Sequence, residues 1–181
     1  MLRWTPLVAL SACSTVEPGT FVGPVGDTDS WLGVVLTEAS GRAYLAGGLT
    51  SRDLHHTWFD VAVDGGAATA EAEQLSFELD GDPQADTWTG LFTNVDGSAE
   101  TLVLSRAAGV EGVYEAESDS TCPVGGVVGE GGTRLTGVYC RDDGAGGTAT
   151  YGIVAEGEIT GDPIAANAET DPPTSLSLTR L

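Results

Sequence analysis

The chain reads as an all-β protein, an antiparallel meander of roughly ten strands closing into a barrel or barrel-like body. Three observations predict it. Short apolar or alternating runs recur from Thr20 onward. Clusters of Gly, Asp, Asn and Ser separate them at a spacing that suits hairpins. And almost no segment has both the length and the apolar stripe of a helix.

Taken in order, the run WLGVVL at 31–36 is followed by the turn-like EASG and a second run at 42–45. In the 58–63 segment, Phe59, Val61 and Val63 share one face. The stretch AATAEAEQ at 67–74 contains good helix formers but no apolar stripe, and it reads as a long hairpin loop or one helical turn. Leu75, Phe77 and Leu79 alternate with Ser76, Glu78 and Asp80, the pattern of a half-buried strand. Runs at 88–93 and 101–105 flank NVDGSAE, whose Asp96-Gly97 predicts a hairpin turn. Further strands are predicted at 112–116, 125–128, 135–139 and 151–159. Residues 161–174 read as a surface loop, with Leu176 and Leu178 in a closing strand. Nearly every connection is short, which favours neighbouring hairpins over crossovers.

The composition restricts the partners. The chain has 27 acidic residues against seven arginines and no lysine, a formal charge of −20. A surface this negative repels nucleic acid and anionic headgroups, and it keeps a crowded protein soluble. With 41% hydrophobic residues and four tryptophans, a single core over 20–181 is expected.

The first residues suggest export. Arg3 precedes an apolar run from Trp4 to Leu10 that is too short to span a bilayer, which takes about 20 residues. A first β-strand is the competing reading, but TPLVALSACS lacks period-two alternation. Leu10-Ser11-Ala12-Cys13 resembles the lipobox of bacterial lipoproteins. The resemblance implies a signal peptide over 1–12, a diacylglyceryl thioether on Cys13 as the first mature residue, and a tether over 13–19. Several acyl chains hold a protein to a membrane far more firmly than one. Ser14 stands where an aspartate would imply retention at the inner membrane, so the resemblance points to the outer membrane. With Cys13 given to lipid, Cys122 and Cys140 remain to pair. Their disulfide would close a loop of about twenty residues, worth about 3 kcal/mol. A metal site is the alternative, poorly served by two cysteines without a nearby histidine.

Residues 20–140 are also similar to small exported bacterial β-domains of unassigned function. In these, a strand pair over a DG turn precedes a small-Gly-aromatic-acidic segment, here the stretch AGVEGVYEAE at 108–117 followed by Gly125-Gly126. That resemblance implies the fold class and export, and no catalytic residues.

Candidate chemistry is sparse. His55 and His56, the only histidines, would point to opposite faces of a strand and read as a solvated loop entering the 58–63 strand. Neither a Gly-x-Ser-x-Gly elbow nor HExxH is present, so an enzyme is not expected. The enzymatic alternative is a carboxylate-dependent hydrolase drawing on two of the many acids. Asp80, Asp82 and Asp86 form an acidic turn with the hard oxygen ligands calcium prefers. Trp58 beside Asp60 is a combination that stacks on and hydrogen-bonds a sugar; otherwise the indole caps the barrel end or packs under the 64–74 loop. A barrel interior can also hold one small molecule. The sequence therefore predicts a non-enzymatic envelope or surface lipoprotein with a binding or scaffolding β-domain. A small-molecule or glycan-binding barrel and a calcium-stabilised adhesion module are the alternatives.

Overall fold

The computed structural model describes residues 18–81, 84–116, 124–145 and 147–181. Their strands are antiparallel and form two closed sheets joined in sequence. The all-β, barrel-like expectation is met, with fourteen strands in place of roughly ten.

The first barrel is a pure meander of β1 (Gly19–Pro24), β2 (Trp31–Leu36), β3 (Ser40–Ala46), β4 (His56–Asp64), β5 (Ala67–Ala72), β6 (Leu75–Asp80), β7 (Thr87–Thr93) and β8 (Ala99–Arg106). β1 closes on β8 through the pairs Phe21↔Arg106 and Val22↔Ser105. Side chains fill the interior: Phe21, Phe59, Phe77, Trp88 and Phe92 pack with the inward aliphatics of β2 to β6 and β8. Phe59 and Phe77 meet edge-on at 5.3 Å, as do Phe21 and Trp88 at 6.0 Å.

β5 corrects the expectation of a loop or helical turn at 67–74. Ala68 and Ala70 point inward while Thr69 and Glu71 point out, and the strand pairs with both β4 and β6. Pairing on both edges overrides the helix propensity of alanine and glutamate. The Asp96-Gly97 turn is present, with Gly97 at φ 82°.

The second barrel contains β9 (Gly112–Glu115), β10 (Gly125–Gly129), β11 (Arg134–Asp142), β12 (Thr148–Ala155), β13 (Ile164–Ala168) and β14 (Thr174–Arg180). It closes where β14 returns to β9, Thr179↔Glu115 and Arg180↔Tyr114. Its core includes Tyr114, Val128, Ile153, Ile164 and Leu178. β13 corrects the reading of 161–174 as loop, for Ile164, Ala166 and Ala168 alternate inward there.

The barrels dock through a third apolar cluster of Val22, Trp31, Tyr44, Ala46, Val113 and Val127. This explains why WLGVVL does not alternate: Leu32, Val34 and Leu36 face the first core while Trp31 faces the second barrel. Glycines make the sockets. A side chain on Gly129 would land on the Trp31 ring, one on Gly125 on Trp58 and Tyr44, and one on Gly33 on Val113 and Val127. Arg42 adds an ion pair across the seam, Nη1 to Glu115 Oε2 at 3.2 Å. Burial raises the pKa of Tyr44 against a smaller opposing pull of the Gly125 and Val138 backbone.

Candidate binding site

The meander puts the β1–β2, β3–β4 and β7–β8 connections at one end of the first barrel and the start of β1 at the other. At the first end, a chain of hydrogen bonds ties these three connections together. Asp29 accepts from Thr50 N at 2.7 Å, from Thr50 Oγ1 at 2.8 Å and from Ser51 Oγ. Ser51 Oγ lies 2.6 Å from Ser30 Oγ, which lies 2.7 Å from His55 Nδ1. His55 Nε2 continues to Asn94 Oδ1 at 3.0 Å.

The centre of the chain is enclosed, and its ends at Thr50 and Asn94 are not. Ser30 is 0% exposed and His55 5% exposed, with the imidazole edge-on to Phe92 at 5.5 Å. Burial lowers the His55 pKa, opposed by Asn94 and by the Asp29 charge. Burial alone would raise the Asp29 carboxyl, but the hydrogen bonds from Ser51 and Thr50 together hold it below its ordinary value. The expectation that His55 sits in a solvated loop is corrected: it is an internal link that seals the barrel. His56, half-buried, bonds through Nδ1 to the Arg52 carbonyl at 2.8 Å.

The β3–β4 connection anchored in this way extends onto the second barrel. Thr150 of β12 donates to Asp53, and Arg52 Nη1 stands 3.8 Å from Glu169 Oε2. Between the connection and β11–β12 lies a cavity of about 290 Å³. Arg52, Arg134 and Glu169 line it with the apolar Leu49, Leu135 and Ile153, and Gly47, Gly48, Gly137 and Gly152 leave backbone at its surface. A broader depression of about 510 Å³ lies on the outside of β4–β7, bordered by Asp60, Glu71, Glu78 and the exposed Leu91.

The residues singled out in the sequence do not converge. Trp58 is half-buried at the seam, stacked on Tyr44 at 4.6 Å with the Arg42 guanidinium 4.4 Å from its ring centroid. Its ring is held against Tyr44 and Arg42 at the seam between the barrels, rather than at a barrel end or under the 64–74 loop. Asp60 is exposed on the outer face of β4, opposite Arg42 in register. Asp80 ends β6, Asp86 pairs with Arg106 at 3.2 Å, and Asp82 lies outside the described residues. Among the described residues no three His, Cys, Asp or Glu side chains are grouped to hold a metal. Cys140 is buried on β11 and is not a free thiol; Cys13 and Cys122 lie outside the described residues.

Sequence reasoning noticed Asp29 only as part of a small acidic turn, and it missed Ser30, Ser51 and Asn94, and likewise Arg52, Arg134 and Glu169. The one available signal was scarcity, since each arginine in a chain of seven stands out. No protein-family model, curated protein or solved structure matches the chain.

Proposed function

We propose that the protein is a non-enzymatic envelope lipoprotein, a rigid two-barrel body tethered through lipid on Cys13 that binds or scaffolds a partner beyond the membrane surface. The observation that carries this reading is the placement of β1. It starts at Gly19, at the end of the first barrel opposite the sealed end with the β3–β4 connection. A tether over 13–19 would then hold the lower end near the bilayer and present the sealed end and the cavity outward. Ser14 after Cys13 favours the outer membrane.

Two features favour binding over catalysis. The contact between Ser30 and His55 resembles a nucleophile and base only in distance, because a 0% exposed hydroxyl meets no substrate. Both barrel interiors are occupied by side chains, so recognition falls to outer surfaces. Pairing of Cys122 with Cys140 belongs to the same reading and suits an oxidising compartment.

The test is the mass of the protein extracted from the membranes of its producing cell. A chain beginning at Cys13 with a diacylglyceryl adduct and two oxidised cysteines is expected, and Cys13→Ser is expected to move the protein to the soluble fraction. An unprocessed, unlipidated chain beginning at Met1 overturns the reading.

A further inference from the structure

We infer that the cavity between the β3–β4 connection and the second barrel is a binding site for a small amphipathic carboxylate, its head on Arg52 and Arg134 and its apolar body against Leu49, Leu135 and Ile153. This deepens the reading of the chain as a binding module and rests on it only in that respect.

Charge is the first argument. In a chain of net charge −20 with seven arginines and no lysine, two arginines line one cavity of about 290 Å³. One carboxylate, Glu169, shares that lining and Glu130 meets Arg134 from outside it, so charge is balanced here while the rest of the surface is acidic. The ion pairs leave donors to spare. Arg52 meets Glu169 through Nη1 at 3.8 Å, the outer limit of such a pair, and Arg134 meets Glu130 through Nη1 at 3.2 Å. Each guanidinium carries five N–H donors arranged to fit a planar oxyacid.

Preorganisation is the second. The backbone N–H of Arg52 bonds to Gly48 O at 3.1 Å, and its carbonyl accepts from His56. The neighbouring Ser51 is fixed on Asp29 and Ser30. The loop is therefore ordered before any ligand arrives, which lowers the cost of binding. Gly152 lies beneath the Arg52–Glu169 pair, where a side chain would run into Glu169.

Shape and polarity select the class. Leu49 is 75% exposed at the rim, an apolar residue with no packing role in the free protein, and Ile153 supplies a buried wall. The volume suits a small molecule or a chain end, at the low end of the usual range for ligand sites. Glu169 penalises a second negative charge, so a monoanionic carboxylate is favoured over phosphate. Such a group comes from a short acyl chain or from the carboxyl terminus of a peptide ending in an apolar residue.

Calorimetric titration of the full-length protein in detergent tests the site with octanoate for the acyl source and N-acetyl-leucine for the peptide source. N-acetyl-leucinamide and inorganic phosphate are the comparison probes. At least one carboxylate is expected to bind with a millimolar or tighter Kd, and the amide and phosphate more weakly. Arg134→Gln and Arg52→Gln should each weaken that binding about tenfold, the effect of one charge-assisted hydrogen bond. Glu169→Gln should strengthen it, and Leu49→Ser should weaken octanoate. Arg134 and Leu49 are exposed enough for their variants to keep the fold, which far-ultraviolet circular dichroism verifies. Silence from both carboxylates, equal binding of the amide, or indifference to Arg134→Gln overturns the proposal. The mass of the same preparation reports the lipid anchor separately, so failure of one reading is distinguishable from failure of the other.

Discussion

At the residue scale, the hydrogen-bond chain from Asp29 to Asn94 has a direction. It runs outward at both ends: Ser51 donates to the Asp29 carboxylate, and the Nε2–H of His55 donates to Asn94 Oδ1, so the proton of the neutral imidazole sits on Nε2. Burial disfavours a second proton on that ring and sets the folded-state pKa of His55 below 6.5. The unfolded chain then takes up a proton that the folded one refuses. Stability from this group is complete above pH 6.5 and falls as the pH drops through that value toward the folded-state pKa. Asp29 acts in the same sense further down, its contribution declining as the pH falls below 3.8 and through its depressed folded-state pKa. Urea denaturation should therefore show a lower midpoint at about pH 5.5 than at about pH 7.5. His55→Gln should be less stable at the higher pH and lose most of that slope; an unchanged slope would place the titration elsewhere.

At the element scale, the β5–β6 hairpin turns through Glu73 and Gln74, both in the left-handed region at φ 52° and 71°. Side chains with a Cβ are strained there, and the geometry suits Asn-Gly. Glu73→Asn with Gln74→Gly should raise stability by about 1 kcal/mol, read as a higher urea midpoint at constant slope. The same hairpin shows why part of the fold was hidden in the sequence. Strands with large inward residues were legible, as in Leu75, Phe77 and Leu79, and so was the Asp96-Gly97 turn. β5 and β13 present alanines to crowded interiors, and alanine carries neither strand propensity nor a visible apolar period. The continuous run in β2 records burial on both faces, which becomes interpretable only once a second barrel is known to cover it. The cavity was less legible still. Its walls come from segments far apart in the chain, and no local spacing relates Arg52, Arg134 and Glu169.

At the scale of the whole molecule, the excess of acid is unbalanced. Every arginine among the described residues already has a partner. Arg42, Arg52, Arg106 and Arg134 meet carboxylates, Arg141 lies over Tyr151, and Arg180 bonds to Gly109 O. The remaining negative charges repel one another across the folded surface more strongly than in the expanded chain. Raising sodium chloride from about 0.01 M to about 0.15 M shortens the screening length from about 30 Å to about 8 Å. The Tm should rise over that range, measured by tryptophan fluorescence. A fall would mean that the surface ion pairs outweigh the repulsion. Trp31 and Trp58 sit at the seam and Trp88 inside the first barrel, so one transition should report both regions.

Each barrel is latched by the meeting of its own first and last strands, β1 with β8 and β9 with β14. During synthesis this imposes a timetable. The first barrel can shut as soon as Arg106 has emerged, with its seam residues Val22, Trp31 and Tyr44 still bare until β9 and β10 follow. The second must wait for the Thr174–Arg180 strand, and until then β9 has an open edge able to pair with a neighbouring chain. The vulnerable period in the life of this protein therefore falls between the two closures, when one barrel is complete and the other is not.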